Sequence, residues 1–192
     1  HPHIVANDNG LRADALLVDA QLRVFKVVIE GRDHHALRQV DMAADGDRTD
    51  DAFMKFISYW VAFNMIYNDF GNDSERYDER AAIKEFYECN ESLIRQYNPF
   101  DSEEIKPFRT RPIPSFRGSN GGWAKRNCDG VKRGDWTALL MVLYQVRCNF
   151  VHGNKRFGSP DDRRLVACAA TILRNMLATL PDVDDIPTDS GQ

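Results

Sequence analysis

The sequence lacks any long uninterrupted run of apolar residues. Its most apolar stretch is interrupted by Lys55, Ser58 and Asn64, whereas a membrane-spanning helix needs about 20 consecutive apolar residues. A basic and then apolar leader is also missing from the first residues, which begin with His1 rather than Met. We therefore expect a soluble, cytoplasmic protein without a membrane segment, and we interpret residues 1–10 as disordered or tag-derived.

Cysteine is scarce and widely spaced. The chain has four cysteines, Cys89, Cys128, Cys148 and Cys168, and none of them forms a close pair with another. Zinc sites and the disulfide frameworks of small secreted domains depend on closely spaced or numerous cysteines. The sequence therefore predicts four free thiols, three of them in the core, with no metal site and no cofactor.

The sequence also has no run of alternating apolar and polar residues long enough to favour a strand. Apolar residues instead recur at intervals of three and four, which is typical of helices with one buried face. We predict an all-α, up-and-down bundle of about five helices in a single domain, residues 11–180, followed by a disordered tail, residues 181–192. The chain's 192 residues, 43% of them hydrophobic, suffice for one such core.

Capping residues and helix breakers place the helix ends. A turn is predicted at residues 43–49, between a first helix that begins near Leu11 and a second one. Prolines and glycines predict a long irregular connection at residues 98–133, before the fourth helix, with a short helix at 101–108. The predicted N-caps of the second to fifth helices are Thr49, Ser74, Asp135 and Ser159.

Charge is unevenly distributed along the chain. The net charge is -4, yet the segment from Arg109 to Arg164 carries 12 Lys or Arg against 4 Asp or Glu, and the rest carries 13 against 25. A basic region of this kind attracts phosphate even on an acidic protein. The alternative is solvated surface charge without a binding role.

Two residues whose side chains can take part in a reaction lie at the end of the fourth predicted helix. Arg147 and His152 are separated by four residues, with Asn149 between them. Arginine is a permanent forked donor for phosphate, and histidine exchanges a proton near neutral pH. The pair therefore suits metal-free cleavage of RNA, in which the ribose 2′-hydroxyl attacks the adjacent phosphorus. The structural alternative is a histidine stabilised by the helix dipole and an arginine in a salt bridge.

At these residues the sequence resembles the HEPN superfamily, whose signature is an arginine, four to six residues and a histidine. The resemblance is carried by YQVRCNFVHGNK, by the earlier WVAFNMIY and by the later DDRRLV. It implies a metal-independent endoribonuclease, a toxin or defence effector that forms a homodimer with both motifs in one cleft. It further implies RNA as substrate, an antitoxin protein as partner in toxins of this kind, and Arg147, His152 and Asn149 as catalytic residues.

Other members of that superfamily only bind RNA. A non-catalytic RNA- or nucleotide-binding protein, or a structural interaction module, therefore remains an alternative. Members that a partner nucleotidyltransferase silences have Tyr where this chain has Asn154, so that form of control is not implied. Outside the motif, Lys155, Arg156 and Arg163 are candidate contacts to the RNA backbone. Asn64, a polar residue on an apolar helix face, requires a partner and is a candidate support for Arg147 or His152.

Overall fold

The computed structural model describes residues 35–68, 78–115, 121–151 and 159–180. These residues form seven α-helices and two 3₁₀ turns and contain no strand, so the predicted all-α class is confirmed for them. The helices belong to the compact unit Ala36–Gln192, and the first helix begins one residue earlier, at His35. The predicted first helix over 11–34, the irregular start 1–10 and the tail 181–192 lie outside the described residues.

The helices follow one another in chain order. They are α1 (His35–Arg48), α2 (Ala52–Tyr67), α3 (Glu79–Ile94), α4 (Lys106–Thr110), α5 (Gly121–Lys132), α6 (Trp136–Val151) and α7 (Pro160–Leu177). Helix α2 packs mainly against α7, α6 packs mainly against α5, and α3 contacts both α2 and α6. No helix of the described ranges combines the length and the apolar character needed to cross a bilayer.

Local capping chemistry explains most helix starts. Asp135 Oδ1 accepts a hydrogen bond from the Ala138 amide at 3.1 Å, and Ser159 Oγ accepts one from Asp162 at 3.3 Å, so both predicted caps are confirmed. Helix α2 is capped by Asp51 rather than by the predicted Thr49, because the Asp51 carboxylate accepts from two amides of the first turn. Asp78 caps α3; Ser74, the predicted cap, lies outside the described residues.

Helix α1 continues through the segment predicted as a turn. The prediction of a turn at 43–49 was wrong, because α1 ends only at Arg48. Gly46 lies directly against the Tyr59 ring, where an added Cβ would come within 2.7 Å of the ring. Beside it, Asp47 Oδ1 accepts hydrogen bonds from Tyr59 Oη at 2.7 Å and from Arg174 Nε at 2.5 Å. These contacts to α2 and α7 offset the low helix propensity of glycine.

The connection between α3 and α6 contains more structure than predicted. Besides 3₁₀ turns at Pro99–Asp101 and Glu103–Ile105, it contains α4 and the twelve-residue α5. The predicted short helix at 101–108 overlaps the second turn and α4. Gly134, with φ of 80°, then allows the chain to turn from α5 into α6.

The core is rich in aromatic residues and contains one of the cysteines. Phe63 packs edge-on against Phe86 with ring centroids 5.3 Å apart, and the rings of Phe53 and Phe150 lie 5.6 Å apart. All four cysteines are free thiols, as predicted, but only Cys128 is fully buried. Of the other three, Cys148 and Cys168 are half-buried and Cys89 is exposed, so the core has fewer thiols than expected.

The close contact between α5 and α6 at Gly130 predicts a strong sensitivity to substitution. A Cβ at Gly130 would come within 2.4 Å of Ala138 Cβ, so Gly130→Ala must push the two helices apart. We expect the free energy of unfolding to fall by about 1–3 kcal/mol, the usual cost of overpacking. The control is Gly122→Ala in the same helix, where the nearest atom is Arg126 Nη1 at 3.8 Å. Urea unfolding of both variants measures the difference, and equal stabilities would contradict the prediction.

Candidate functional site

The candidate site lies near the end of α6, where one charged residue interrupts a buried helix. Eleven residues of α6 are buried, among them Val146 and Phe150. Arg147 is the only charged residue in Trp136–Val151, and 19% of its side-chain surface is exposed. A guanidinium in such a position needs a partner, because an unpaired buried charge is costly.

The partner of Arg147 is Glu79, the first residue of α3. Arg147 Nη1 lies 3.4 Å from Glu79 Oε2, and the side chain of Glu79 is also 19% exposed. The carboxylate suits this place, since the start of a helix presents free amide groups and a partial positive charge. Arg147 Nη1 also lies 4.0 Å from Cys148 Sγ. The salt bridge expected from the structural interpretation of Arg147 is therefore present.

A chain of hydrogen bonds extends from Glu79 into α2. Tyr67 Oη donates to Glu79 Oε1 at 2.6 Å and accepts a short hydrogen bond from Asn64 Nδ2. Asn64 Oδ1 in turn accepts from Asn68 Nδ2 at 3.1 Å. The predicted need of Asn64 for a partner is met in this way, and the same contacts link Asn64 to Arg147.

The local electrostatics keep Arg147 and Tyr67 each in one protonation state. Burial acts to lower the pKa of Arg147, but Glu79, Tyr67 and Cys148 together outweigh it, so the pKa lies above its usual value and the guanidinium stays charged. Burial, reinforced by Glu79, raises the pKa of Tyr67 well above its usual range. The Tyr67 hydroxyl therefore keeps its proton and remains a hydrogen-bond donor.

Asn149, the third residue of the predicted catalytic set, uses its side-chain amide for hydrogen bonds to other residues of the protein. It is 5% exposed, its Nδ2 donates to the Pro114 carbonyl at 2.9 Å, and its Oδ1 accepts from Gln145 Nε2 at 2.8 Å. Two positions along a helix correspond to a rotation of about 200°, so Asn149 and Arg147 point to different sides of α6. The hydrogen bond from Asn149 to Pro114 attaches the connection between α4 and α5 to α6.

These contacts predict a structural cost for removing the Asn149 side chain. Asn149→Ala leaves the Pro114 carbonyl and the Gln145 amide without these bonds, and we expect the free energy of unfolding to fall by about 1–3 kcal/mol. The control is Asn90→Ala, which removes a bond to the Phe86 carbonyl one turn back on the same helix. Thermal and urea unfolding compare the two variants. A loss for Asn149→Ala no larger than that for Asn90→Ala would show that the contact to Pro114 stabilises nothing.

The remaining predicted site residues are placed only in part. His152, Lys155 and Arg156 lie outside the described residues. Arg163 is exposed in the first turns of α7. It is not a member of the group formed by Arg147, Glu79, Tyr67 and Asn64. Among the predicted site residues within the described ranges, the hydrogen bonds through Glu79 and Tyr67 therefore connect Arg147 with Asn64, whereas Asn149 faces Pro114.

Much of the predicted basic region is exposed. Four basic residues of α5 and of the turn that follows it are exposed, as are two in the first turns of α7: Lys125, Arg126, Lys132, Arg133, Arg163 and Arg164. Lys132 forms an exposed ion pair with Asp129 at 3.0 Å. Exposed basic side chains are suited to contact phosphate groups, but each is also an ordinary surface residue.

A cavity of about 810 Å³ lies between α3, α5 and the start of α6. Its charged lining residues are balanced, with four basic and four acidic side chains: Arg80, Lys84, Arg126, Arg133, Asp78, Glu85, Glu88 and Asp135. Trp123 and Asn127 line the same cavity, and Asn127 Nδ2 is buried without a hydrogen-bond partner among the described residues. The balance of charges favours neither an anionic nor a cationic ligand.

Sequence reasoning missed Glu79 and Tyr67 as members of the site. Tyr67 is a buried aromatic residue of α2, and nothing in the sequence marks it as different from the other buried aromatic residues of that helix. Glu79 is separated from Arg147 by 68 positions and is one of 29 acidic residues, so no spacing rule selects it. The available signal was physical, because an arginine on a buried helix requires a carboxylate and the start of a helix is a favourable place for one.

No group of three or more His, Cys, Asp or Glu side chains in the described ranges is arranged to hold a metal ion. In comparisons with known proteins, no family model, no curated protein and no solved structure matches the chain.

Proposed function

We propose that this protein is a metal-independent endoribonuclease of the HEPN type, acting in the cytoplasm as a toxin or defence effector. The observation that carries the proposal is Arg147, a charged arginine that solvent reaches near the end of a buried helix, five positions before His152. The resemblance of the surrounding sequence to the HEPN signature supports the same assignment. RNA is the proposed substrate.

In the proposed reaction, His152 takes the proton of a ribose 2′-hydroxyl, and the oxygen attacks the adjacent phosphorus. The bond from phosphorus to the 5′-oxygen breaks as that oxygen receives a proton from the imidazolium of a His152 side chain. The products are a 2′,3′-cyclic phosphate and a 5′-hydroxyl. Arg147 stabilises the additional negative charge on the phosphorus oxygens in the transition state. Lys155, Arg156 and Arg163 contact the RNA backbone in this proposal.

A second candidate is a protein of the same fold that binds RNA or a nucleotide without cleaving it. The ion pair between Arg147 and Glu79 favours this candidate over the enzyme, because a partly buried carboxylate at 3.4 Å neutralises much of the charge that Arg147 would need in the reaction. Binding alone can use the exposed basic residues of α5 and α7. The two candidates differ in a single property: the first cleaves RNA in the absence of metal, and the second does not.

Incubation of the purified protein with RNA in EDTA separates the candidates. We expect cleavage to products with cyclic-phosphate and 5′-hydroxyl ends, and we expect His152→Ala to reduce the rate about 100-fold or more, the usual contribution of a general acid or base. Arg147→Lys keeps the charge but loses the planar fork and is expected to reduce the rate by at least about tenfold.

The matched control is Arg95→Lys, which alters an exposed arginine paired with Glu91 at 2.7 Å and should leave the rate unchanged. Intact RNA at high protein concentration with retained binding would replace the enzyme with the binding protein. Absence of both cleavage and binding would favour a structural interaction module.

The proposal also includes partners. We propose a homodimer in which both motifs line one cleft, and an antitoxin protein that silences the activity. Sedimentation at the concentrations used for cleavage should give the mass of two chains of 22.0 kDa. A monomer that cleaves RNA at full rate would contradict the dimer while leaving the ribonuclease proposal intact.

A further inference from the structure

We infer that Glu79 and Tyr67 are positioning residues, which fix the Arg147 guanidinium in place for a phosphate group of RNA. The inference rests on the proposed function, because it assigns a role in the same site. It concerns two residues that the sequence pattern did not select, and it follows from how their hydrogen bonds are arranged.

The hydrogen bonds run in one direction, from Asn68 on through Asn64 and Tyr67 to Glu79. A tyrosine hydroxyl has one proton, and here that proton points to the carboxylate while the oxygen accepts from Asn64. Asn64 and Tyr67 therefore each use a donor toward Glu79 and an acceptor away from it. Turning the tyrosine proton away would leave the Glu79 carboxylate facing an acceptor.

The Glu79 carboxylate is held from two sides. Its Oε1 accepts from Tyr67 and its Oε2 faces Arg147 Nη1, so the two oxygens serve different helices. Tyr67 is 0% exposed, and its ring lies 4.8 Å from the Phe63 ring and 6.2 Å from the Trp60 ring, centroid to centroid. Because packing fixes the tyrosine ring, the hydroxyl fixes the carboxylate, and the carboxylate fixes the guanidinium.

The described residues contain two further groups of one tyrosine, one carboxylate and one arginine, which differ from this one. In the first, Tyr87 Oη and Arg95 Nε both contact Glu91 Oε1, at 3.1 and 2.7 Å, on the single helix α3 and the turn that follows it. In the second, Tyr59 and Arg174 both contact Asp47 Oδ1.

The arginine and carboxylate side chains of these two groups are about half exposed, against 19% for Arg147 and Glu79. In both groups the two partners share one carboxylate oxygen. Among the three, the Arg147 group alone is largely buried. It joins α2, α3 and α6, whereas the Asp47 group joins α1, α2 and α7. If the arrangement only stabilised the fold, it would not need to end at Arg147. Solvent reaches this residue, and it belongs to the proposed RNA-cleavage motif.

The test compares Tyr67→Phe with Tyr87→Phe, two variants that each remove a single hydroxyl from a buried tyrosine donating to a glutamate. In RNA cleavage we expect Tyr67→Phe to lower kcat about tenfold, the effect of one lost hydrogen bond to a charged group, with KM changed by less than about threefold. Tyr87→Phe should keep kcat within about twofold. Glu79→Gln and Glu91→Gln form a second matched pair with the same expectation for kcat. All rates are measured below the melting temperature of each variant, so that lost stability does not enter kcat.

A second readout does not depend on activity. Rotation of the Arg147 guanidinium about its Nε–Cζ bond, measured by ¹⁵N NMR, should be slow in the wild type and in Tyr87→Phe and at least about fivefold faster in Tyr67→Phe. If the wild type fails to cleave RNA, the proposed function falls, and this rotation alone decides whether Tyr67 and Glu79 position Arg147. Equal rotation in the three proteins, or an unchanged kcat in Tyr67→Phe, overturns the inference.

Discussion

Helix α2 is buried on nearly every side, and this burial constrains the polar groups that it carries. Eleven of its sixteen residues are buried, so Asn64 and Tyr67 have little access to water and must satisfy each other. An unsatisfied buried polar group costs about 1–3 kcal/mol. The amide and the hydroxyl avoid this cost by forming a chain of bonds that ends at Glu79.

The same constraint determines how a charge is placed inside the bundle. Neither Arg147 nor Glu79 is fully hydrated, and a partly buried ion pair is favourable only when its remaining polar atoms are also satisfied. The Tyr67 hydroxyl donates a hydrogen bond to the carboxylate, and the partial positive charge at the start of α3 is favourable to it. Removing one member of the pair would leave the other as an uncompensated charge. Arg147 is thus a structural residue whatever reaction it serves, and the two roles do not exclude one another.

The features that could be predicted from the sequence are the local ones. The caps Asp135 and Ser159 lie within three residues of the amides that they bind, and the buried faces of α2 and α7 follow from their apolar spacing. The turn expected at 43–49 failed because Tyr59, 13 positions from Gly46, packs on that glycine and keeps the helix intact. Such contacts between distant parts of the chain leave no trace in local spacing.

Helix α5 shows the same limit in another form. Its glycines and charged residues indicate an irregular segment, while its buried positions, Ala124, Cys128 and Val131, do recur at helical spacing. That short pattern was outweighed by the prolines and glycines around it. In the candidate site, Arg147 was predictable because its own motif marks it. Glu79 was not, because only the packing of α3 against α6 brings it within 3.4 Å of Arg147.

The pairing of Arg147 with Glu79 bears directly on the proposed chemistry. Catalysis depends on interactions that are stronger in the transition state than in the bound substrate. A guanidinium already paired with a carboxylate gains little from a phosphodiester with one negative charge, but more from a pentacoordinate phosphorus whose oxygens carry additional charge. The initial attraction of RNA then depends on other groups. The exposed basic side chains of α5 and α7, such as Arg126, Arg133 and Arg163, are suited to that task because their charges face solvent, where they act over about 10 Å at ordinary ionic strength. In the proposed enzyme, substrate binding and transition-state stabilisation are therefore assigned to different arginines.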